Sequence, residues 1–273
     1  MKRREFLQQT GVAMAGGAAA LGAPSSRVGR AAEPDMRAGT ILVTSAENDL
    51  ARQIAAGLAD KKRVRLTAVQ PVATDLPFTA CELNADEATE QLVRDVSSIV
   101  HVGPAATGDS EMTLVDVWPR RTYNLLQAAV ASGVRRVVYL SSLDLFDLYD
   151  PAYIVDEDFR PLPTPGTGML PPYLGEYCCR EFARLRQLQV VVLRFGQVLD
   201  PQSERPRTGA KGWLDIRDAV QAVRLALENE QISDGRGIET WSVFHIVSRA
   251  DDPRFPISQA QRILGYEPKY GQL

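Results

Sequence analysis

The chain has 273 residues, 45% of them hydrophobic and 24% charged, enough for one large α/β domain with its own core. Formal net charge is −3, and because the first 32 residues hold five Lys/Arg and one acid, the remainder stands at −7. Such an acidic chain has no electrostatic footprint for nucleic acid or an anionic membrane surface, and no later apolar run reaches the roughly 18–20 residues of a membrane span.

The N-terminus opens on Lys2-Arg3-Arg4-Glu5-Phe6-Leu7-Gln8, continues through a weakly apolar Gly/Ala-rich stretch from Gly11 to Ala23, and shows small residues at Gly29, Ala31 and Ala32 before Glu33-Pro34. This resembles a twin-arginine signal, which is read by a translocase that moves folded proteins. The weak hydrophobicity favours it over an ordinary secretory signal. The expectation is a signal peptide over residues 1–32, export to the periplasm or cell envelope, and no membrane span after its removal. Cys81, Cys178 and Cys179 form no spaced framework and are expected to be packing residues.

Thr40 to Thr44 is an apolar run fit for a buried parallel strand. Asp49 to Ala59 reads as a helix with Leu50, Ile54 and Leu58 on one face. Strands follow at Val64–Val69 and Phe78–Glu82, a helix at Asp86–Val96, and a strand at Ser98–Val102. Leu114–Ala131 is a long helix with Leu125, Leu126 and Ala129 inward, closed by Gly133. Arg136–Ser141 is a fifth strand. The Pro-, Asp- and Gly-bearing segment from Leu143 to Pro172 is long enough to cover a site. A helix at Tyr173–Leu188, a strand at Gln189–Phe195, a helix at Ile216–Glu228, a strand at Ser242–Val247 and a short helix at Ile257–Leu264, ending at Gly265, complete the chain. Alternating strands and helices predict an α/β fold: a Rossmann-type, doubly wound parallel sheet with right-handed crossovers.

Several stretches, taken in order, resemble the NAD-dependent epimerase/dehydratase family, the extended short-chain dehydrogenases, and within it the uronate dehydrogenase branch. They are Val64-Arg-Leu-Thr-Ala-Val-Gln-Pro71, Ile99-Val-His-Val-Gly103, Gly133-Val-Arg-Arg-Val-Val-Tyr-Leu-Ser-Ser142, Leu193-Arg-Phe-Gly196, Trp213-Leu-Asp-Ile-Arg-Asp218 and Leu264-Gly-Tyr-Glu-Pro268. The resemblance implies a single NAD(P)-binding domain over residues 38–273, with its substrate region mainly in 197–273. It implies NAD or NADP as cofactor, a sugar-like substrate, and a homodimer through the helices at Leu114–Ala131 and Tyr173–Leu188.

The family's motifs are altered in this chain. Where the family has Gly-x-x-Gly-x-x-Gly, so that backbone N–H groups can approach a pyrophosphate at a helix start, the positions are Ser45, Asn48 and Ala51. Ser45 is expected to place a side chain where the cofactor backbone lies. Asn48 can tolerate a left-handed backbone. Glu47 and Asp49 favour the helix dipole but repel a pyrophosphate. The ribose-binding acid is replaced by Ala68, with Gln70 the nearest polar substitute. The resemblance also assigns Thr44, Asp49, Leu50, Leu83, Gly103 and Pro104 to the cofactor surface.

Of the catalytic group, Ser142 and Tyr173 stand at the family's Ser and Tyr positions, while Tyr177 stands where the family has Lys. A tyrosine with no cation beside it is ionised in only about one molecule in a thousand at pH 7. Arg180, two turns from Tyr173, is a candidate substitute charge, although it cannot trade protons. Arg194 and Asp218 are read as structural ion-pairing residues, and Trp213 and Trp241 as core or loop anchors. His101 and His245 have no ligand partners at metal spacing, so no metal is expected. Two functions stay open. One is an exported enzyme that oxidises, reduces or epimerises a sugar-like hydroxyl with NAD or NADP. The other is an exported pseudoenzyme that keeps the fold and binds a ligand or partner.

Overall fold

The computed structural model describes residues 39–103, 110–165, 168–199, 212–233, 235, 238–249 and 251–271. The signal segment and Pro104 lie outside the described residues. Seven strands form one parallel sheet in the order β3-β2-β1-β4-β5-β6-β9. They are β1 (Thr40–Val43), β2 (Arg63–Ala68), β3 (Phe78–Ala80), β4 (Val96–Val102), β5 (Arg136–Ser142), β6 (Gln189–Phe195) and β9 (Trp241–Ile246). This is the expected Rossmann-type sheet, and its order reverses between β1 and β4.

Two apolar layers sandwich the sheet. On one face α1 (Asp49–Ala59) and α5 (Ile216–Glu228) bury Ile54, Leu58, Val223 and Leu227. On the other, α3 (Glu111–Ala131) and α4 (Leu170–Arg184) bury Leu125, Leu126, Ala129, Cys179 and Phe182. Cys81 and Cys179 are buried packing residues, Cys178 is half-buried, and all three are free. Burial pushes the Cys178 thiol up to about 11 and raises Cys179 as well. Among the described residues no helix is long and apolar enough to cross a membrane.

Several boundaries differ from expectation for local reasons. The helix expected to run to Val96 is α2 (Glu87–Leu92), because Asp95 takes a φ of 63° and β4 already begins at Val96. Helix α4 starts three residues earlier than Tyr173, with Pro171 and Pro172 in its first turn, where a missing N–H leaves nothing unpaired. It ends at Arg184, and Arg186 is left-handed. Strands β7 (Gln197–Leu199) and β8 (Trp213–Asp215) pair in a separate two-stranded sheet. Three residues each is too short a run for a period to show. The expected last helix is a π-helical turn, Ala260–Leu264, closed by Gly265 at φ 71°.

The long segment after β5 opens with a 3₁₀ turn, Leu143–Phe146, and is then pinned by a residue far away in sequence. Arg254 donates to Asp150 O at 2.9 Å, Phe146 O at 3.0 Å and Tyr149 O at 3.2 Å. One buried guanidinium thus orders a stretch that contributes little regular structure of its own.

Candidate functional site

The reversal between β1 and β4 opens the crevice at which sheets of this type take a ligand. On the β1 side, Ser45 has a φ of 57°, the left-handed conformation usually left to glycine. Its hydroxyl is turned down rather than out: Ser45 Oγ donates to Val102 O at 3.0 Å, and the residue is buried. The side chain staples the end of β1 to the end of β4. Asn48 is extended, not left-handed, and caps α1, its Oδ1 accepting from Leu50 N at 3.0 Å. Helix starts leave N–H groups unpaired, and Asn is among the best residues at answering them. Asp49 is exposed and pairs with Arg52, which also donates to Ala46 O at 2.6 Å. Glu47 Oε2 is buried without a partner among the described residues.

The remaining cofactor candidates line the same strand ends. Ala68 closes β2 and is buried, Gln70 is exposed, and Leu50 is half-buried against the core. Leu83 is left-handed at φ 56°, and its carbonyl accepts from Asn124 Nδ2 at 3.1 Å. Gly103 sits at the seam with α4, where a Cβ would lie 4.0 Å from Pro172 Cβ and from Leu140 O. A pyrophosphate at this turn needs free N–H groups at the start of α1. Leu50 N–H is taken by Asn48, two carboxylates flank it, and Ala68 offers nothing to a ribose. As placed, these residues do not fit a dinucleotide.

Thr44 is fully buried and belongs to the floor beneath the crevice. Its Oγ1 accepts from Val102 N at 3.1 Å and is hydrogen-bonded to His101 Nδ1 at 2.8 Å, while His101 Nε2 is hydrogen-bonded to Thr122 Oγ1 at 3.0 Å. The imidazole stacks on Trp118 at 4.8 Å. Burial lowers His101 to about 3, so it is neutral at pH 7 and has a structural part here. Among the described residues no cluster of three metal-ligating side chains exists.

On the β5 side, Ser142 ends the strand, and its Oγ accepts from Asp144 N at 3.1 Å, capping the 3₁₀ turn. Tyr173 lies in the first turn of α4, half-buried against the core. Tyr177, at the Lys position, is 50% exposed, and Arg180 is exposed too. The seam between β5 and α4 is tight: Tyr139 Oη donates to Pro172 O at 2.7 Å and accepts from Trp118 Nε1 at 3.3 Å. A Cβ at Gly175 would run into Tyr139 Oη and Trp118 Nε1, so α4 can approach β5 this closely only with glycine there.

Below Tyr173 lies a buried ion pair. Glu176 Oε1 accepts from Arg194 Nη2 at 2.6 Å, and Glu176 Oε2 accepts from Ser141 Oγ at 2.7 Å. Both charged side chains are 5% exposed. Arg194 is a structural ion-pairing residue, as expected, but its partner escaped the sequence reading. An acid among Gly175, Cys179 and Phe182 on the inner face of α4 was the available signal. Asp218 is buried as well, but it accepts from Ser248 Oγ at 2.7 Å and Lys269 N at 2.9 Å instead of pairing with a cation. Trp213 and Trp241 are buried anchors.

A family model describing the NAD dependent epimerase/dehydratase family matches residues 41–212. The chain belongs to the NAD-dependent epimerase/dehydratase family. No curated protein matches the sequence. Among solved structures, a mutant uronate dehydrogenase from Agrobacterium tumefaciens complexed with NAD is similar, with 22% identity and TM-score 0.72, over 85% of this chain and 84% of that one. The glucuronic acid dehydrogenase from Chromohalobacter salexigens is 20% identical, with TM-score 0.70 over 85% and 84%. A UDP-N-acetylglucosamine 4-epimerase from Bacillus cereus is 18% identical, with TM-score 0.65 over 85% and 94%. At these identities the likeness is one of fold. This family member keeps the fold's crevice, Ser142 and Tyr173, and departs at the phosphate turn, the ribose anchor and the Lys position.

Proposed function

We propose that this epimerase/dehydratase-family protein is exported and binds a sugar-like ligand at the carboxyl ends of its strands without NAD(P)-dependent turnover. One observation carries the reading: the position that should hold a cation beside Tyr173 is the exposed Tyr177, while the nearby buried cation, Arg194, is committed to Glu176. In the family pattern that cation is the group that assists the tyrosine, and here neither position supplies it. The sugar-like character of the ligand is supported by the similar structures, which are named as acting on uronates and a UDP-sugar. Export is supported by Lys2-Arg3-Arg4 and the weakly apolar stretch behind it.

A second reading, an active oxidoreductase or epimerase using NAD or NADP, is favoured by the retained Ser142 and Tyr173 and by the left-handed Ser45, which preserves the turn's path. The experiment is to purify the mature chain, denature it and analyse released nucleotide by mass spectrometry. Turnover of uronic acids and hexoses is then assayed with added NAD and NADP, and their binding is followed by calorimetry. The expected result is no stoichiometric nucleotide, no reduced cofactor formed, and heat of binding with one of the sugars. Stoichiometric nucleotide together with turnover would establish the second reading. Export is checked by fractionation, where Arg3→Lys with Arg4→Lys holds the chain in the cytoplasm. The homodimer through α3 and α4 is checked by sedimentation.

A further inference from the structure

We propose that Asn48 is an internal plug for the phosphate-binding donor of this fold, and that it sets the crevice against dinucleotides. This rests on the reading of the crevice as one that has given up its cofactor, and adds the residue responsible. A helix start binds a phosphate through its free N–H groups. In this chain Asn48 Oδ1 occupies Leu50 N at 3.0 Å, so the donor already has an oxygen acceptor supplied by the protein. A phosphate oxygen must displace that amide before it can bind.

Independent contacts hold the plug in place. Ser45 Oγ ties the turn to Val102 O, and Arg52 ties Ala46 O and Asp49 together. These contacts fix the turn that carries Asn48. Glu47 adds negative charge beside Asn48, while the Asp49 carboxylate is paired with Arg52; the uncompensated carboxylate opposes an anion but not a neutral polyol. The plug is a neutral amide, so the site accepts no charge of its own in exchange for what it excludes.

The test titrates the mature wild-type chain, Asn48→Gly and Asn48→Asp with NADH, following nucleotide fluorescence, and repeats the series with inorganic pyrophosphate by calorimetry. Glycine at an N-cap leaves a helix nearly as stable while freeing the donor, and aspartate keeps the cap and adds a charge. The expected result is weak binding by wild type, binding about tenfold tighter by Asn48→Gly, and none tighter than wild type by Asn48→Asp. Micromolar NADH binding by the wild type would overturn the plug. So would an unchanged Asn48→Gly with its fold verified by circular dichroism, and in that case the ligand-binding reading stands, because other residues exclude the cofactor. If Asn48→Gly gains NADH and then turns over a uronate, the plug is established and the argument that Tyr177 alone prevents turnover falls.

Discussion

The two sides of the crevice have departed from the family pattern in different ways. On the β1 side the glycines are gone, yet the turn is still there: Ser45 adopts the left-handed backbone, and Asn48 caps the helix with its own side chain. On the β5 side the hydroxyls at the family's Ser and Tyr positions, Ser142 and Tyr173, remain, the Lys position holds an exposed Tyr177, and a buried ion pair, Glu176 with Arg194, lies in the packing. The first is a change of chemistry on an unchanged backbone. The second is a change in what the interior needs in order to be stable.

The sharpest way to break this comparison is to attack the ion pair. Glu176→Gln leaves the Arg194 guanidinium buried without its counter-charge, and unfolding in urea should show a loss of about 3–5 kcal/mol. Replacing both residues with apolar ones of similar volume, Glu176→Leu with Arg194→Met, should recover most of that loss. If Glu176→Gln is nearly neutral, the pair is not part of the packing and the contrast between the two sides fails. The next largest effect lies in the floor between them. Burial lowers His101 to about 3, below the 6.5 of an unfolded histidine, so the unfolded state takes up the proton first as the pH falls. The stability tied to neutral His101 is full above pH 6.5 and is lost in acid, by roughly 2–3 kcal/mol between pH 7 and pH 4.5. His101→Gln should lack that part of the slope, so its deficit against wild type at pH 7 should narrow in acid, as read from urea midpoints across the range.

A smaller effect is expected at the seam. Gly175→Ala gains helix propensity of about 1 kcal/mol but drives a methyl into Tyr139 Oη and Trp118 Nε1. The overpacking should win by about 1–2 kcal/mol, seen as a lowered melting temperature. A stabilised variant would mean that the seam has room.

The fold was legible because the strands are buried on both faces and read as continuous apolar runs, and because α1, α3 and α5 carry clean inner faces, such as Leu125, Leu126 and Ala129. The site was legible as positions and much less as states. The positions of Ser142, Tyr173 and Tyr177 could be taken from the family resemblance, but not that Ser142 caps a 3₁₀ turn or that Tyr177 faces solvent. Asn48 was read for its backbone tolerance, whereas its side chain decided its conformation. Glu176 could be flagged as an acid on an inner helix face, but not its partners, because Ser141 and Arg194 reach it only after β5 and β6 pair in register. Arg254 is the same case: what it holds lies more than a hundred residues away.

The smallest effect says which side could be reversed. Asn48→Ala removes the cap of α1 and should cost about 1 kcal/mol in unfolding experiments, while Asn48→Gly should cost only a few tenths. On the β1 side, then, freeing Leu50 N should cost the fold almost nothing, because glycine suits a helix start. On the β5 side a cation could return at the exposed Tyr177 with little cost to the fold, but any change at the buried Glu176 is costly. If Asn48→Gly proves as costly as Glu176→Gln, the turn is as deeply built in as the ion pair, and the two sides have diverged equally. If it costs a few tenths, the β1 side is a surface difference laid over a stable backbone, and the deeply built-in part of the crevice is the Glu176–Arg194 pair.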